Sequence, residues 1–512
     1  MTRHYYLKPA PEDFQVTWNG GPEFPGDNNF GTETEPVYLS AGAINEWVYD
    51  PLAADPADVD TYQHFFHLMP GEYCVGPAAN RDGRYLQGAD CIFLQNNLGR
   101  PNRKVEVMFS PFYDGDRPLL RSYGRQYTRE ETDLWPGMKE ERLFYTPESS
   151  GYLNNVVLLN LDLDQNWDNQ GYAAYGITKG FKTNSIQIRA NNYLIKGCRV
   201  INNGANSDMV GGSLLTSEAF PINMYSLEAL PGSGIVEDCE VAKFHSVNGG
   251  YATMIAVCPF TAIPEPRPVI FWTKDSVPGA PAAIVRNCLV RGVRVVNGCG
   301  ASGSGVLAAR GALFENNVFE GCSIGANFDT GGMWNVQLNG NTFIDCNEAV
   351  QMGTPTGNAL ANRAPDPMVP PFMYNFLLWN NQIRIKRNDV QLNKDCPDRV
   401  KACLLHIRNN SAGMVAHNNR VFTVDHGNFA TWIGATEVER YWRFINLSGM
   451  DPYTVPGYYG SFGPANTVID DPLDGRFEGN TVAGVALVAQ TAPALYGKNF
   501  VTEMGQAVQS FR

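Results

Sequence analysis

A short pattern of apolar and polar positions recurs nine times between residues 157 and 482. In each copy, a short strand with alternating apolar residues leads into a two-residue bend rich in Asn, Gly or Asp, and a second short strand follows. The second bend residues, in chain order, are Leu161, Cys198, Cys239, Cys288, Asn317, Asn341, Asn381, Asn419 and Asn480. The alternation predicts β-strands, and the repetition predicts a stack of similar units.

The spacing of these bends indicates how the units are built. The shortest interval, 341 − 317 = 24 residues, leaves room for three short strands and their turns, and longer intervals read as the same unit with inserted loops. A unit this short cannot bury its own apolar face, so neighbouring units must stack. Strands of successive units would then form parallel sheets roughly 4.8 Å apart. Inward Asn side chains could hydrogen-bond along the stack, and Cys would fill the same position as a small apolar residue.

On these Asn and Cys bends, the chain resembles the right-handed parallel β-helix of the pectate-lyase-like superfamily over about residues 156–493. The segment Pro70–Val75 resembles the opening strand of such helices, which predicts that the stack begins near residue 65. We therefore expect an all-β solenoid of about ten coils. The alternative is an irregular β-sandwich with Asn-rich turns.

Regions outside the pattern give the expected domain boundaries. The 512 residues would suggest about three domains by length alone, but ten coils of one repeat account for them better. The predicted parts are an N-terminal extension or cap over 1–64, a β-helix over 65–495 with loop insertions at 259–281, 354–371 and 425–475, and a C-terminal tail over 496–512.

Charge and composition exclude several classes of function. The formal charge is 39 − 52 = −13 without a basic stripe, which argues against a nucleic-acid partner. No run of 18 apolar residues predicts a membrane span. The start, residues 1–6, has no apolar stretch of signal-peptide type, so we expect a protein that stays in the producing cell or one whose signal was removed. The cellular location stays open.

A polar face is predicted where strands follow the bends at Asn317, Asn341 and Asn381. If the apolar residues of these strands point inward, the outward residues are Asn327, Asp329, Gln351, His406 and Arg408. Five polar side chains would then share one exposed face over three adjacent coils. This face is the candidate site.

The chemistry of the candidate site suits glycosidic cleavage. Asp329 would act as general acid or base, and His406 and Arg408 would stabilise developing charge or hold a substrate carboxylate. Glycoside hydrolysis needs two carboxyl groups, roughly 5 Å apart for retention or about 6.5–9.5 Å for inversion. The second carboxylate could be Glu348, Asp345 or Asp425, and the residues do not choose among them. Glu348 is carried as the catalytic candidate.

Substrate contacts are expected from polar and aromatic residues. Asn327, Gln351 and Arg310 are candidates for hydrogen bonds to sugar hydroxyls. Trp442, Tyr458 and Tyr459, in the insertion at 425–475, could stack on sugar rings. The alternative is that these aromatic side chains form the small core of a loop.

Three functions follow from this pattern. The favoured one is a glycoside hydrolase acting on a polysaccharide or oligosaccharide, with no cofactor and no metal. The second is a polysaccharide lyase acting on uronic acids, in which Ca²⁺ could serve as a cofactor. The charge of −13 argues against a lyase, because it repels polyanions. The third is a non-catalytic glycan-binding adhesin or phage tailspike-like protein, for which a homotrimer would be typical.

His64 and His67 are the remaining candidate for a metal site. The two histidines are three residues apart, but no second pair of ligands accompanies them. We therefore expect side chains that are buried or face solvent, without a metal.

Overall fold

The computed structural model describes most of the predicted stack. The described residues are 2–9, 31–38, 61–75, 91–94, 104–122, 139–147, 151–169, 181–206, 208–210, 213–215, 218–226, 231–247, 250–259, 279–296, 300–306, 310–328, 334–346, 348–352, 373–385, 402–407, 411–417, 419–423, 442–447, 476–478, 481–483, 499–503 and 506–511. Within these ranges no helix is long and apolar enough to cross a membrane.

Short strands make up almost all of the regular structure. The first 21 strands are β1 Thr2–Lys8, β2 Val37–Tyr38, β3 Thr61–Leu68, β4 Glu72–Val75, β5 Ile92–Phe93, β6 Lys104–Pro111, β7 Leu119–Ser122, β8 Lys139–Tyr145, β9 Leu153–Leu159, β10 Asp162–Asp164, β11 Phe181–Lys196, β12 Arg199–Ile201, β13 Gly204–Asn206, β14 Asp208–Val210, β15 Ser213–Leu215, β16 Glu218–Ala219, β17 Ile222–Ser226, β18 Gly234–Glu237, β19 Glu240–Ala242, β20 His245–Val247 and β21 Tyr251–Pro259. The next 20 are β22 Ala283–Arg286, β23 Leu289–Arg291, β24 Arg294–Val296, β25 Gly300–Val306, β26 Arg310–Glu315, β27 Val318–Glu320, β28 Ile324–Phe328, β29 Trp334–Asn339, β30 Thr342–Ile344, β31 Glu348–Met352, β32 Met373–Trp379, β33 Gln382–Ile385, β34 Ala402–Ile407, β35 Ser411–His417, β36 Arg420–Thr423, β37 Trp442–Leu447, β38 Arg476–Glu478, β39 Thr481–Ala483, β40 Asn499–Glu503 and β41 Gln506–Phe511. Within the ranges given above, a short 3₁₀ helix spans Trp167–Asn169.

The chain divides into two compact units. Unit 1 comprises 1–229, 233–255 and 293–298, and unit 2 comprises 230–232, 256–292 and 299–512. Each unit contains strands of three parallel sheets, which we call A, B and C. In unit 2, sheet A contains β22, β26, β29, β32, β35 and β38; sheet B contains β23, β27, β30, β33, β36, β39, β40 and β41; and sheet C contains β25, β28, β31, β34 and β37.

The order of the strands defines a parallel β-helix. From β26 to β37 in unit 2, the chain visits sheets A, B and C in turn, and each strand pairs in parallel with the strand one coil later. Leu313 is opposite Gln337, which is opposite Leu377, which is opposite Val415. The predicted all-β solenoid is therefore confirmed.

Unit 1 repeats this arrangement from the first residues onward. Its sheet A contains β1, β3, β6, β9, the second half of β11, and β18. β1 runs parallel to β3, with Thr2 opposite Gln63 and Leu7 opposite Leu68. Sheet A thus starts earlier than the predicted position near residue 65, because a stretch without the Asn bend can still form a coil strand.

Other predicted boundaries also differ from the observed strands. Residues 442–447, inside the predicted insertion at 425–475, form β37 and pair with β34 in sheet C. Residues 499–511, inside the predicted tail, form β40 and the antiparallel β41, and β40 continues sheet B. The insertion at 354–371 lies outside the described residues, as does nearly all of 259–281. The division into cap, β-helix and tail stays a prediction.

The repeated bend joins sheet A to sheet B and has one backbone conformation. Its first residue has a positive φ wherever the bend is described, with values of 50–56° at Asn160, Asp238, Asn287, Asn316 and Asn380, and 64–66° at Gly197 and Gly340. Asn, Asp and Gly are the residues that tolerate this left-handed region. The sequence uses them at the first bend position for this reason.

The second bend residue points into the solenoid and forms a continuous ladder. Oδ1 of Asn341 accepts bonds from the backbone N and Nδ2 of Asn317, both at 3.0 Å. Oδ1 of Asn381 does the same for Asn341, at 3.0 and 3.1 Å, and Oδ1 of Asn419 for Asn381, at 3.1 and 2.9 Å. All four side chains are buried. The predicted hydrogen bonding of Asn side chains along the stack is confirmed.

Cysteines occupy the same ladder position in earlier coils. The thiols of Cys198, Cys239 and Cys288 are buried and contact backbone carbonyls of the strand before the bend. Those of Cys198 and Cys239 also contact a carbonyl of the sheet A strand one coil earlier. The backbone N of Cys288 donates to Oδ1 of Asn317 at 2.9 Å, so the two kinds of residue join in one row. Cys therefore replaces Asn without interrupting the stack.

A second bend, between sheets B and C, was not anticipated from the sequence. Its first residue also has a positive φ, at Asn202, Lys243, Gly292, Gly321 and Asp345. The next residue is buried at Asn203, Phe244, Cys322 and Cys346. The signal was present, since Gly321-Cys322 and Asp345-Cys346 are separated by the same 24 residues as Asn317 and Asn341.

His64 and His67 lie on opposite sides of β3. His64 is buried, and its Nδ1 lies 2.8 Å from the hydroxyl of Tyr5. Nε2 of His67 instead lies 3.0 Å from Nδ1 of His4 on the outer side. Burial, and next the nearby His4, lower the pKa of His67. Because a strand alternates its sides, residues three apart cannot bind one metal ion together.

We predict that the Asn ladder sets the stability of unit 2. In Asn341→Ala, the backbone N of Asn317 and the carbonyl of Phe314 lose their side-chain partners. Two buried groups left without partners should cost about 2–6 kcal/mol. The measurement is the urea midpoint of unfolding. Asn341→Cys should lose less stability than Asn341→Ala. Asn380→Gly, at an exposed position with positive φ, is the control and should change the midpoint little. An unchanged midpoint in Asn341→Ala would contradict the prediction.

We also predict that the buried thiols at the two bends, such as those of Cys198 and Cys322, are inert in the folded protein. The hydrogen bond with the thiol of Cys239, and then burial, raise the pKa of Cys198, and Cys346 and burial act likewise on Cys322. Since the thiolate is the nucleophile, iodoacetamide at pH 8 should leave these cysteines unmodified until urea unfolds the chain. Peptide mass mapping checks this, with N-acetylcysteine as the reactivity control. Native alkylation of Cys198 at the unfolded rate would disprove it.

Candidate functional site

The predicted polar residues of unit 2 form one row across neighbouring strands. Asn327 in β28 is opposite Gln351 in β31, and Gln351 is opposite His406 in β34. The row continues to Asn446 in β37, which the sequence pattern did not reveal. The neighbouring residues Ala326, Phe328 and Val350 are fully buried. Because successive side chains alternate, Asn327 and Gln351 point to the outer side of sheet C.

Exposure of this face is where the prediction fails. The exposed fraction is 5% for Asn327 and 2% for Gln351, so the two amides are almost inaccessible to solvent. Nε2 of Gln351 donates to Oδ1 of Asn327 at 3.2 Å. Oδ1 and Nε2 are therefore satisfied by each other, whereas the buried Oε1 of Gln351 accepts no hydrogen bond from the part of the chain that the structure describes. Alternation along a strand predicts the side of the sheet to which a side chain points. It does not predict whether other residues cover that side.

Sheet C contains an irregular position just before this row. A Cβ on Gly325 would lie 2.2 Å from the Phe343 ring, and a Cβ on Gly303 in the preceding strand would lie 2.4 Å from the ring of Phe319. Position 325 therefore faces the interior, as does the next residue, Ala326. Two consecutive inward residues interrupt the alternation, and neither strand contains an extra residue, since Ile324 is opposite Glu348 and Ala326 is opposite Val350. The residue before them then lies on the same side as Asn327.

Glu348 occupies the equivalent position in β31, opposite Ile324. Its exposed fraction is 1%, and its backbone N donates to the carbonyl of Ser323 at 3.1 Å. The register separates Glu348 by four residues, about 13 Å, from the position opposite Phe328, the residue before Asp329. Two catalytic carboxyl groups lie at most about 9.5 Å apart. The register therefore does not favour Glu348 as the partner of Asp329, and its catalytic role stays a prediction.

The remaining predicted site residues are only partly placed. Arg310 begins β26 in sheet A, opposite Trp334, and so is not on a strand of sheet C. Trp442 begins β37 in sheet C, opposite Ala402, rather than lying in a loop. Their side chains, and that of His406, are outside the described part of the structure. Asp329, Arg408, Tyr458 and Tyr459 lie outside the described residues altogether.

A second polar surface, in unit 1, escaped the sequence analysis. On the outer side of sheet C, Gln187 in β11 is opposite Tyr145 in β8 on one side and Asn223 in β17 on the other. Arg189, two residues further along β11, is opposite Tyr225. Alternation of Gln187 and Arg189 around the buried Ile188 was the signal that could have identified it.

Among the described residues, no group of three or more His, Cys, Asp or Glu side chains is close enough to hold a metal ion. Both polar surfaces are instead made of amides, phenols and guanidinium groups, with Glu348 the carboxylate beside the row in unit 2. Such groups donate and accept hydrogen bonds to hydroxyls, and aromatic rings pack on the apolar faces of sugars. The surfaces are chemically suited to a hydroxyl-rich ligand.

Comparisons with known proteins add little to this description. No protein-family model matches the chain, and no curated protein does. Among solved structures, the A-module of the mannuronan C-5 epimerase AlgE6 from Azotobacter vinelandii aligns with 91% of this chain and 94% of its own. The identity is 13% and the TM-score 0.39. A similarity this distant assigns no activity to the chain.

We predict that Gln351 serves binding rather than folding. Gln351→Met keeps the size of the side chain and removes the buried carbonyl oxygen that accepts no described bond. Removing that unsatisfied oxygen should offset the lost hydrogen bond to Asn327. The free energy of unfolding, measured by urea denaturation, should therefore change by less than about 1 kcal/mol. Binding to an oligosaccharide, measured by calorimetry, should weaken.

Gln337→Met provides the control, since this buried glutamine lies in sheet A of the same unit. Equal loss of affinity in both variants, or a large loss of stability in Gln351→Met alone, would contradict a binding role.

Proposed function

We propose that this protein binds a polysaccharide or oligosaccharide on the outer side of sheet C and hydrolyses its glycosidic bonds. The observation that carries the proposal is the row of Asn327, Gln351, His406 and Asn446 across four neighbouring strands. All four residue types can form hydrogen bonds, and their positions recur at each step of the stack, about 4.8 Å apart. A repeating ligand suits such a repeating row.

The buried Gln351 amide supports a ligand rather than a purely structural role. A carbonyl oxygen out of reach of solvent costs about 1–3 kcal/mol if it has no partner. A sugar hydroxyl would satisfy this oxygen once the groups that cover it move aside on binding. The low exposure of the row also favours catalysis, because hydrogen bonds and charges act more strongly where water is excluded.

Hydrolysis is assigned to Asp329 and a second carboxylate, for which the register does not favour Glu348. Asp329 follows β28 directly, and alternation places it on the side of Asn327 in the predicted pattern. Of the other two candidates, Asp345 precedes Cys346 in the bend between sheets B and C, whereas Asp425 follows β36 within the long connection to β37. We retain Asp425, since long connections commonly carry functional residues.

We predict that Asp329→Asn removes the activity. Loss of a general acid or base should lower kcat about 10²–10⁴-fold, whereas Glu348→Gln should retain more activity because the register separates it from the end of β28. Release of reducing ends from a panel of polysaccharides is the measurement. Glu320→Gln is the matched control, since it removes a carboxylate from sheet B instead of sheet C.

Each competing outcome has its own signature. Unchanged activity in Asp329→Asn would refute the assigned role of this residue. Products that absorb in the ultraviolet, as unsaturated uronates do, would identify a lyase instead of a hydrolase. Tight binding without any product would identify a glycan-binding protein.

A further inference from the structure

Two arginines on the outer side of sheet C in unit 1 lie against tyrosine rings. Cζ of Arg142 is 4.0 Å from the centre of the Tyr145 ring, within the range of a cation–π contact. Cζ of Arg189 is 4.7 Å from the Tyr225 ring and 6.0 Å from that of Tyr152. Each arginine is half-buried, so its charge lies at the surface while its stem and one face are covered.

Hydrogen bonds to neighbouring side chains help to hold this arrangement. Nε of Arg142 donates to Oε1 of Gln187 at 2.6 Å, and Nδ2 of the fully buried Asn184 donates to the same oxygen at 3.2 Å. A terminal nitrogen of Arg189 lies 3.5 Å from the hydroxyl of Tyr152. The two guanidinium groups are therefore held in place before any ligand arrives, which lowers the entropy cost of binding.

The buried support of the tyrosines strengthens this view. Nδ2 of Asn223, a fully buried side chain, donates to the hydroxyl of Tyr225 at 2.9 Å. Oδ1 of Asn184 in turn accepts a bond from the backbone N of Phe220 at 2.6 Å. Buried amides thus orient both arginine–tyrosine pairs. Networks of this kind cost stability unless every member is satisfied, and they hold surface groups in one geometry.

Guanidinium groups supported in this way select for anions. The planar fork of arginine binds a carboxylate or a sulfate through two parallel hydrogen bonds, and the adjacent phenol ring offers an apolar face to a sugar. The backbone of Arg142 is opposite Asn184, but its guanidinium reaches Gln187, which is two residues from Arg189, about 7 Å along the strand. The two guanidinium groups would therefore act on the same short segment of a polymer.

We infer that the outer side of sheet C in unit 1, built on Arg142 and Arg189, binds the anionic substituents of a polysaccharide. The inference rests on the proposed carbohydrate function and gives it a substrate class, glycans that carry carboxylate or sulfate groups. The overall charge of −13 opposes a polyanion in general. A local pair of arginines can still bind a polyanion, because salt screens direct contacts less than it screens repulsion from distant negative charges.

The experiment measures affinity of the full chain for three polymers: polygalacturonate, dextran sulfate and unsubstituted dextran. Binding to at least one anionic polymer should exceed binding to dextran. Arg142→Gln and Arg189→Gln should each weaken that binding about tenfold or more, the loss expected for a charged hydrogen bond, and leave dextran binding unchanged. Preference for polygalacturonate assigns a carboxylate, and preference for dextran sulfate assigns a sulfate.

Arg199→Gln is the matched control, since Arg199 is an exposed arginine of sheet B in the same unit, paired with Asp162 at 3.2 Å. An equal loss in Arg199→Gln would show unspecific attraction and overturn the inference. Arg142→Lys keeps the charge without the fork, so it should still bind more weakly than the wild type; full affinity in that folded variant would also overturn the inference.

The outcome is separable from that of the proposed hydrolysis. Cleavage that depends on Asp329 but shows no effect of either arginine would overturn this inference and leave the proposed function intact. Arginine-dependent binding of an anionic polymer without cleavage would support this inference and count against hydrolysis.

Discussion

The hydrogen-bonded ladder of Asn side chains is the constraint on which the rest of unit 2 depends. A solenoid places one bend of every coil inside the stack, and each buried amide there needs partners in the coils before and after it. Asn317, Asn341, Asn381 and Asn419 provide them for one another. Because the ladder fixes the relative position of successive coils, it also fixes the register of all three sheets.

That register produces the candidate site without any dedicated scaffold. Asn327 and Gln351 each follow their bend by ten residues, so they lie opposite each other once the bends are aligned, and the pairing of β31 with β34 places His406 opposite Gln351. The interrupted alternation at Gly325 adds one consequence, because it brings Glu348 to the same side of sheet C. A polar row in a repeat fold thus arises from the register.

The two units use this outer side differently. In unit 2 the row contains amides and an imidazole, whereas in unit 1 arginines lie against tyrosines and are oriented by buried amides. The net charge of −13, taken as spread evenly over the protein, disfavours an anionic ligand. Local placement of Arg142 and Arg189 changes that view, since affinity depends on the groups in contact more than on the total.

The sequence by itself determined the fold, the bend between sheets A and B, and the side of sheet C on which Asn327 and Gln351 lie. Positive φ restricts a bend to Asn, Asp or Gly, a buried amide must be paired, and a strand alternates its sides; each rule acts within a few residues and so is visible in the chain. The tertiary structure alone decided that Gln351 is buried, that Trp442 begins a strand and that Glu348 is offset from the end of β28. These depend on which strand lies alongside which, and on what covers a face, and residues distant in sequence settle both.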